Sequence, residues 1–354
     1  MMRDEIVVRR GWISAEEFVD MLGAVNLIPG PNSTEMAIHI GQRRGGWIGL
    51  IVAGACFILP ATFIVTAVAW AYVTFGTRPQ AIGVLLGVKP VVVAIVAQAI
   101  YKLAGTALKT RALAAATILT AALTLLGVNE LLLLFAMGAS FALWRAYSLR
   151  PRGTPRLTAL LPALLTGLSG GGAAAGAAQV AMGPLFLVFL KAGAVLFGSG
   201  YVLLAFLRAD LVERLHWVTE GQLLDAIAIG QVTPGPVFTT ATFIGYVLAG
   251  GRGAAVATIG IFLPAFVFVA LSGLLLPRLR RSRIASAFLD AVNAASLGLM
   301  AAVTFELGRS ALTGWFPAVL FGLSALALFR TRLNTTWLVL GGAVAGIVAG
   351  WIWS

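Results

Sequence analysis

Two Pro-Gly-Pro motifs interrupt apolar stretches of the chain and carry its best candidates for chemistry. They lie at residues 29–31, in NLIPGPNSTEMAIH, and at 234–236, in GQVTPGPVFTTATF. Glycine takes backbone angles closed to other residues, and a proline in the first turn of a helix lacks only an N–H that has no helical partner there. Each motif therefore predicts a helix that begins inside an apolar segment, and the predicted breaks are Pro29, Pro31, Pro234 and Pro236.

A helix N-terminus inside an apolar segment predicts an anion site. Its free N–H groups cannot face hydrocarbon, and they carry roughly half a positive charge that attracts anions. Amide side chains precede both breaks and hydroxyl side chains follow them, so the predicted anion-binding residues here are Asn26, Gly30, Ser33, Thr34, Gln231, Gly235, Thr239 and Thr240. The alternative is that each break is only a kink relieved by neighbouring helices.

Two lysines lie within apolar runs, Lys89 in GVKPVVVAIVAQ and Lys191 in FLKAGAVLFGSGY. A lysine near the bilayer centre is costly without a partner, so it either binds an anion, pairs with a carboxylate or reaches an interface. Asn293 takes the place of Lys89 in the second half of the chain. Ser199 lies between two glycines, which admit a ligand or let helices pack closely. These four residues complete the predicted anion site.

Carboxylates and a histidine near the breaks are candidates for coupling transport to protons or ions. Glu35 and His39 are four residues apart, so they share one face of the helix that follows the first break. The predicted coupling residues are Glu35, His39, Asp20 and Asp225. The alternative for each is an ion pair or an interfacial position.

The elements that position these residues are membrane helices. The chain has 354 residues, of which 60% are hydrophobic and 11% charged, whereas roughly a quarter of a soluble domain is charged. Several apolar runs approach or exceed the roughly 20 residues that span a bilayer: 48–75, 82–100, 185–207, 254–276, 285–307 and 337–353. The composition predicts an all-α polytopic membrane protein whose surroundings are the lipid bilayer.

Charge and composition exclude several other classes. The net charge of +12 comes from Lys and Arg in short connections between apolar runs, a placement typical of membrane topology and not of nucleic-acid binding. One cysteine and two histidines leave no basis for a metal site. There is no GxxxxGK[ST] motif and no catalytic constellation. We therefore expect no cofactor, no metal and no enzyme activity.

The two halves of the chain repeat one another. An offset of 205 aligns Trp12 with Trp217, the two Pro-Gly-Pro motifs, and Gly45–Gly46 with Gly250–Gly251. After a one-residue gap, an offset of 204 aligns Leu59-Pro60-Ala61 with Leu263-Pro264-Ala265. The predicted domains are a first repeat at 1–144, a basic and then Gly/Ala-rich linker at 145–178, and a second repeat at 179–354.

Charge placement predicts the direction of each half. We treat each Pro-Gly-Pro segment as a re-entrant hairpin, 158–169 as too short to span, and 185–207 as a full span. Lys and Arg then divide 18 to 5 between the two sides. By the positive-inside rule, the halves are inverted repeats and the N-terminus is cytoplasmic. Counting 158–169 as a span gives parallel halves, with a division of 16 to 7.

Several segments in order, IVVRRGWISAEEFVD, NLIPGPNSTEMAIHIG, GVKPVVVAIV, FLKAGAVLFGSGYVLLAFL and IAIGQVTPGPVFTTATFIGY, resemble the chromate ion transporter family in its long two-domain form. The resemblance implies export of chromate, a tetrahedral dianion like sulfate, across the bacterial inner membrane. It also implies that the membrane potential or the proton gradient drives this export, and that the export makes cells resistant to chromate. A homodimer is among the expected assemblies. Family members usually begin with a helix carrying an FGG-type motif, and we expect that this sequence begins after that helix.

Alternatives remain open at this point. Sulfate or another oxyanion is the first alternative substrate. Sulfate has the same shape and charge as chromate, so chromate follows from the resemblance and not from the residues. An uncoupled anion channel or an inactive truncated form is the other alternative.

Overall fold

The computed structural model describes residues 2, 4–25, 28–76, 78–149, 181–197, 200–331 and 333–353, and within them every regular element is helical. The α-helices are α1 (Ala15–Val25), α2 (Asn32–Phe75), α3 (Pro79–Ala107), α4 (Arg111–Leu125), α5 (Glu130–Ser148), α6 (Met182–Val195), α7 (Leu203–Leu207), α8 (Glu220–Val232), α9 (Thr240–Arg281), α10 (Arg283–Ala311), α11 (Trp315–Arg330) and α12 (Thr335–Trp353). Most of the predicted linker lies outside the described residues, so the domain division stays a prediction.

Six helices in the described part of the chain are long and apolar enough to cross a membrane. They are Asn32–Phe75, Ala81–Ala107, Glu130–Ser148, Val237–Ser272, Arg283–Ala311 and Thr335–Ile352. Large apolar side chains on several of them are exposed, for example Phe63 and Trp70 on α2, as expected for a surface that faces lipid. The prediction of an all-α polytopic membrane protein is confirmed.

Both long helices, α2 and α9, are hairpins of two antiparallel arms. In α2 the helix breaks at Gly45 and Gly46, where Gly46 has a φ of 58°. Across the break, a Cβ added at Gly41 would lie 2.3 Å from the carbonyl oxygen of Gly49, and one added at Gly54 would lie 3.1 Å from Ile38. Because contacts pair residues symmetrically about the break, the chain reverses there. The arms are residues 32–44 and 47–75.

The break in α9 repeats this geometry. Gly250 has a φ of 62°, the Oγ1 atoms of Thr242 and Thr258 are 2.7 Å apart, and a Cβ added at Gly245 would lie 2.4 Å from the carbonyl oxygen of Gly253. Gly46 therefore corresponds to Gly250, an offset of 204. The predicted alignment of Gly45–Gly46 with Gly250–Gly251 is wrong, because the second half is one residue shorter than the first between its Pro-Gly-Pro motif and its break.

The chain before each break also repeats its geometry. A π-helical turn covers Asp4–Arg9 in the first half and Arg208–Arg214 in the second. It is followed in each half by one residue with positive φ, Gly11 at 56° and His216 at 51°. The glycines of the two Pro-Gly-Pro motifs have φ values of 141° and 147°. The internal repeat is thus a repeat of backbone conformation. Inversion of one copy relative to the other stays a prediction.

The predicted single span over 185–207 is wrong. Lys191 Nζ lies 2.8 and 2.7 Å from the two carboxylate oxygens of Asp210, although a continuous helix would separate the two residues by about 28 Å. The chain therefore folds back between α6 and the 203–214 segment, which continues from α7 into the π-helical turn. Because the 18 to 5 division of Lys and Arg counted this stretch as one span, the topology also stays a prediction.

The two halves interlock. α10 of the second half packs against α3, α4 and α5 of the first, and α3 packs against α11 and α12. Each break also packs against a helix of the other half: a Cβ at Gly235 would lie 2.4 Å from that of Ala61 on α2, and Ile28 packs on a cluster that contains Ala265 of α9. Residues from both halves therefore line the space between them.

Candidate functional site

The first break is buried and tightly built. α2 begins at Asn32, directly after Pro31, as the motif predicts. The N–H of Gly30 donates to the carbonyl of Leu196 at the end of α6, with an N···O distance of 2.8 Å. A Cβ at Gly30 would lie 2.2 Å from Glu35 Oε1. At a φ of 141° and with this contact, only glycine fits.

A carboxylate lies at the N-terminal end of α2. Glu35 is fully buried, and neither of its carboxylate oxygens has a hydrogen-bond partner among the described residues. The hydroxyl of Thr34, one residue earlier, is also buried and without a partner there. Two polar groups that are costly to bury unsatisfied thus adjoin the break. Part of the space predicted to hold an anion is occupied by an acidic side chain of the protein.

The second break differs from the first. Pro234 and Gly235 are exposed, whereas Pro29 and Gly30 are buried. The Thr239 hydroxyl donates to the carbonyl of Pro236, with an O···O distance of 2.9 Å. The two breaks therefore share a backbone conformation and offer different surroundings to a ligand.

Polar groups beside the second break face Tyr201 and α9. Gln231 Oε1 accepts a hydrogen bond from the Tyr201 hydroxyl at 3.2 Å. Gln231 Nε2 and the Thr240 hydroxyl are buried and have no hydrogen-bond partner in the described part of the chain. Thr240 lies against Gly230, where an added Cβ would come within 2.4 Å of the threonine hydroxyl. These groups offer one amide donor and one hydroxyl to a ligand that reaches them.

A cavity of about 440 Å³ lies between the first break and α10, and we call it the first cavity. Its polar side chains are Asn32, Thr106, Lys109, Asp290, Asn293 and Ser296. Lys109 and Asp290 form an exposed ion pair of 2.7 Å, whereas Ser296 is 1% exposed and its hydroxyl has no partner among the described residues. The cavity thus runs from a charged mouth to a buried hydroxyl.

A second cavity, of about 460 Å³, is lined by the 203–214 segment, the α4–α5 connection and α10. Its charged side chains are Glu130, Arg208, Asp210, Glu213, Arg214 and Glu306. Arg208 pairs with Glu213, which lies within hydrogen-bonding distance, with Glu220 at 2.7 Å and with Glu306 at 4.0 Å. With Lys191 and Glu220 included, five acidic groups face three basic groups, so this cavity is net acidic.

Both lysines of the predicted anion site have carboxylate partners. Lys191 pairs with Asp210, which is 5% exposed. Lys89 Nζ lies 3.3 Å from Asp225 Oδ1, and the Tyr72 hydroxyl donates to the other oxygen of Asp225 at 2.9 Å. A carboxylate of the protein therefore competes with any anion for each lysine. Anion binding by Lys89 and Lys191, and coupling through Asp225, stay predictions.

The structure brings some predicted residues together and separates others. Asn293 joins the first break in the first cavity, while Ser33 is exposed and His39 Nε2 faces Ser272 Oγ on α9 at 3.2 Å. Asp20 lies in α1, and Asn26 and Ser199 lie outside the described residues.

Four polar residues of the first cavity are not among the residues predicted from the sequence: Asn32, Thr106, Lys109 and Ser296. Ser296 follows Asn293 by three residues, so helical spacing alone places both on one face of α10. Asn32 directly follows the first Pro-Gly-Pro motif, and this position in the sequence also indicates that its side chain lies near the site.

Comparison with known proteins identifies one family. The sequence profile of a family described as "Chromate transporter" matches residues 1–143 and 183–347. The chain is 32% identical over 358 residues to a chromate transport protein of Pseudomonas aeruginosa, covering 98% of this chain and 86% of that protein. It is 32% identical over 354 residues to a chromate transport protein of Cupriavidus metallidurans, covering 98% and 87%. A probable chromate transport protein of Synechococcus elongatus is 30% identical over 351 residues, covering 98% and 89%. No solved structure matches the chain.

Proposed function

Because the chain belongs to the chromate transporter family, we propose that it is a secondary active transporter that exports chromate across the bacterial inner membrane and so confers chromate resistance. The family match covers both halves of the chain, and the relatives of Pseudomonas aeruginosa and Cupriavidus metallidurans are named for chromate transport. The multi-pass helical fold agrees with a membrane transporter.

The first cavity is the observation that carries the proposal. Asn32, Asn293 and Ser296 supply amide N–H and hydroxyl groups, which donate hydrogen bonds to oxyanion oxygens. Lys109 adds a positive charge at the mouth, balanced by Asp290. At roughly 30 Å³ for each water molecule, the cavity has room for an oxyanion together with several waters.

The electrical work of moving a dianion across the membrane favours export from a negative cell interior. One elementary charge that crosses the membrane gains or loses roughly 2.3 kcal/mol per 100 mV. A dianion leaving an interior that is negative by 100 mV therefore gains about 4.6 kcal/mol. The membrane potential alone can drive chromate outward. The coupling role of Glu35 and His39, a cytoplasmic N-terminus and a homodimer are further parts of the proposal.

Chromate accumulation in cells tests the proposal. Cells that express the chain are expected to retain less chromate than cells without it. Ser296→Ala is expected to weaken this effect at least threefold, because it removes a buried donor of the first cavity. Ser310→Ala is the matched control: it changes the same residue type on α10, and Ser310 donates to the carbonyl of Leu307 and does not line the cavity. Equal chromate retention with and without the protein would refute chromate export.

Sulfate is distinguished from chromate by competition. Chromate uptake into inverted vesicles is expected to saturate, and sulfate is expected to compete because both are tetrahedral dianions. If chromate fails to compete with sulfate at any concentration, sulfate or another oxyanion is the substrate. Flux that follows only the anion gradient and ignores protons would identify an uncoupled channel.

A further inference from the structure

The two cavities lie along one helix, at opposite ends of its buried face. Asp290, Asn293 and Met300 of α10 line the first cavity, and Ala302, Val303 and Glu306 line the second. Asp290 and Glu306 are separated by about 24 Å of helix, but Met300 and Ala302 by only about 3 Å. The cavities therefore approach each other within one helical turn of α10.

A second segment of the chain follows the same route in the same order. Phe197 and Val202 line the first cavity, whereas Ala205, Arg208 and Ala209 line the second. α7 is only five residues long; it begins directly after Val202 and contains Ala205. α3 adds Thr106 to the first cavity, and the end of α4 adds Thr124 to the second. α10 and the stretch from Val202 to Ala209 are thus the parts of the described chain that line both cavities.

α7 closes the space between the cavities. Leu203, Leu204 and Phe206 are at most 4% exposed, and Met300 on the facing helix is fully buried. α7 follows the 3-10 turn Gly200–Val202 and runs into the π-helical turn Arg208–Arg214. Both turns depart from the α-helical hydrogen-bond register, as functional hinges often do. The α-helical hydrogen-bond pattern is interrupted on both sides of α7, so this short helix is held in place mainly by its buried apolar side chains.

We propose that the two cavities are the two ends of one translocation path, and that α7 together with Met300 forms the barrier between them. This inference rests on the proposed function and names the path that the transported anion takes through the protein. A dianion enters the first cavity beside the first break, and it leaves along α10 when α7 moves. The net acidic lining of the second cavity lowers the local concentration of external anions. That asymmetry favours release over rebinding at this end.

Accessibility of single cysteines tests the path. The only cysteine, Cys56, is first replaced by serine. Ala107→Cys then places a thiol in the first cavity and Ala209→Cys places one in the second. Ala136→Cys is the matched control, since Ala136 is exposed on the apolar helix α5 and lines neither cavity. Each protein is treated with a membrane-impermeant thiol reagent in right-side-out and in inside-out vesicles.

We expect the two cavity thiols to react from opposite sides of the membrane, each from one side only. Modification of either is expected to reduce chromate flux at least tenfold, because the attached group blocks the path. Ala136→Cys is expected to stay unmodified, because a thiol in lipid does not ionise. Adding Met300→Ala is expected to let the reagent reach the position of Ala107→Cys from both sides.

Other results would overturn the path. Reaction of both cavity thiols from the same side would show that the cavities are not its two ends, and modification without loss of flux would place the route elsewhere. If each thiol still reacts from one side only after Met300→Ala is added, Met300 is not part of the barrier. Because labelling is measured without any transported anion, absence of chromate flux in the Cys56→Ser parent counts against the proposed function alone.

Discussion

The ion pair between Lys191 and Asp210 gives the sharpest test of how the α6–α7 region works. Lys191→Met removes the charge and keeps most of the side-chain volume. Asp210 then remains buried, with Arg214 at 3.0 Å as its remaining salt-bridge partner among the described residues, and the Arg214 side chain is 58% exposed. Removing one partner of a buried pair costs about 3–5 kcal/mol. Because the Lys191 side chain is 27% exposed, we expect a loss of about 3 kcal/mol.

Thermal unfolding of the purified protein measures that loss. Lys191→Met is expected to lower the unfolding temperature clearly, whereas adding Asp210→Asn is expected to restore most of it, since no unpaired charge is left. Lys109→Met is the matched control, because Lys109 and Asp290 are 60% and 32% exposed. An exposed pair contributes only about 0–1 kcal/mol. Its loss is expected to leave the unfolding temperature nearly unchanged.

Chromate flux through the double variant then separates two roles for Lys191. We expect flux to return together with stability, because the pair holds the two arms of the α6–α7 hairpin in place. A double variant that is stable but does not transport would refute this reasoning. It would show that the charge of Lys191 itself binds the anion, as the sequence alone predicts.

Three further predictions concern the breaks and the second cavity. Gly30→Ala is expected to abolish transport, because a Cβ would meet Glu35 at 2.2 Å and the backbone has a φ of 141°; Gly322→Ala, where a Cβ meets nothing within 4 Å, is expected to transport normally, and equal activities in vesicles would contradict the role of the break. Glu35→Gln is expected to retain chromate flux but lose its dependence on pH, because it removes the buried ionisable group beside the break; an unchanged pH profile would exclude Glu35 as the coupling group. Glu306→Gln is expected to increase inhibition by external chromate about twofold or more, because it removes one negative charge from the second cavity; no change in the inhibition curve would show that this charge does not repel the anion.

The sequence predicts the helices and the breaks well because both depend on local chemistry. Continuous apolar runs require membrane helices, and Pro-Gly-Pro requires a new helix start, which the structure shows at Asn32. The matching π-helical turns and positive φ values follow from the same repeat of residues. Such features are encoded within a few residues, so one sequence suffices to find them.

Chain reversals and ion pairs are not encoded locally. The run from 185 to 207 looks like one span, and no hydrophobic pattern reveals that the chain turns back between Lys191 and Asp210. Likewise, Lys89 meets Asp225 from the other half of the chain, and Lys191 meets Asp210 only because the chain folds back after α6. Tertiary packing decides which carboxylate reaches which lysine. For the same reason, the residues of the first cavity could be identified only in part.

Chromate flux into proteoliposomes that contain only this 354-residue chain tests the central claim most directly. The account predicts saturable flux that increases when a membrane potential pulls the dianion toward the positive side. It also predicts a clear loss of flux in Ser296→Ala and none in Ser310→Ala. Flux no greater than in protein-free liposomes, at any potential or pH, would contradict the claim that this protein transports chromate.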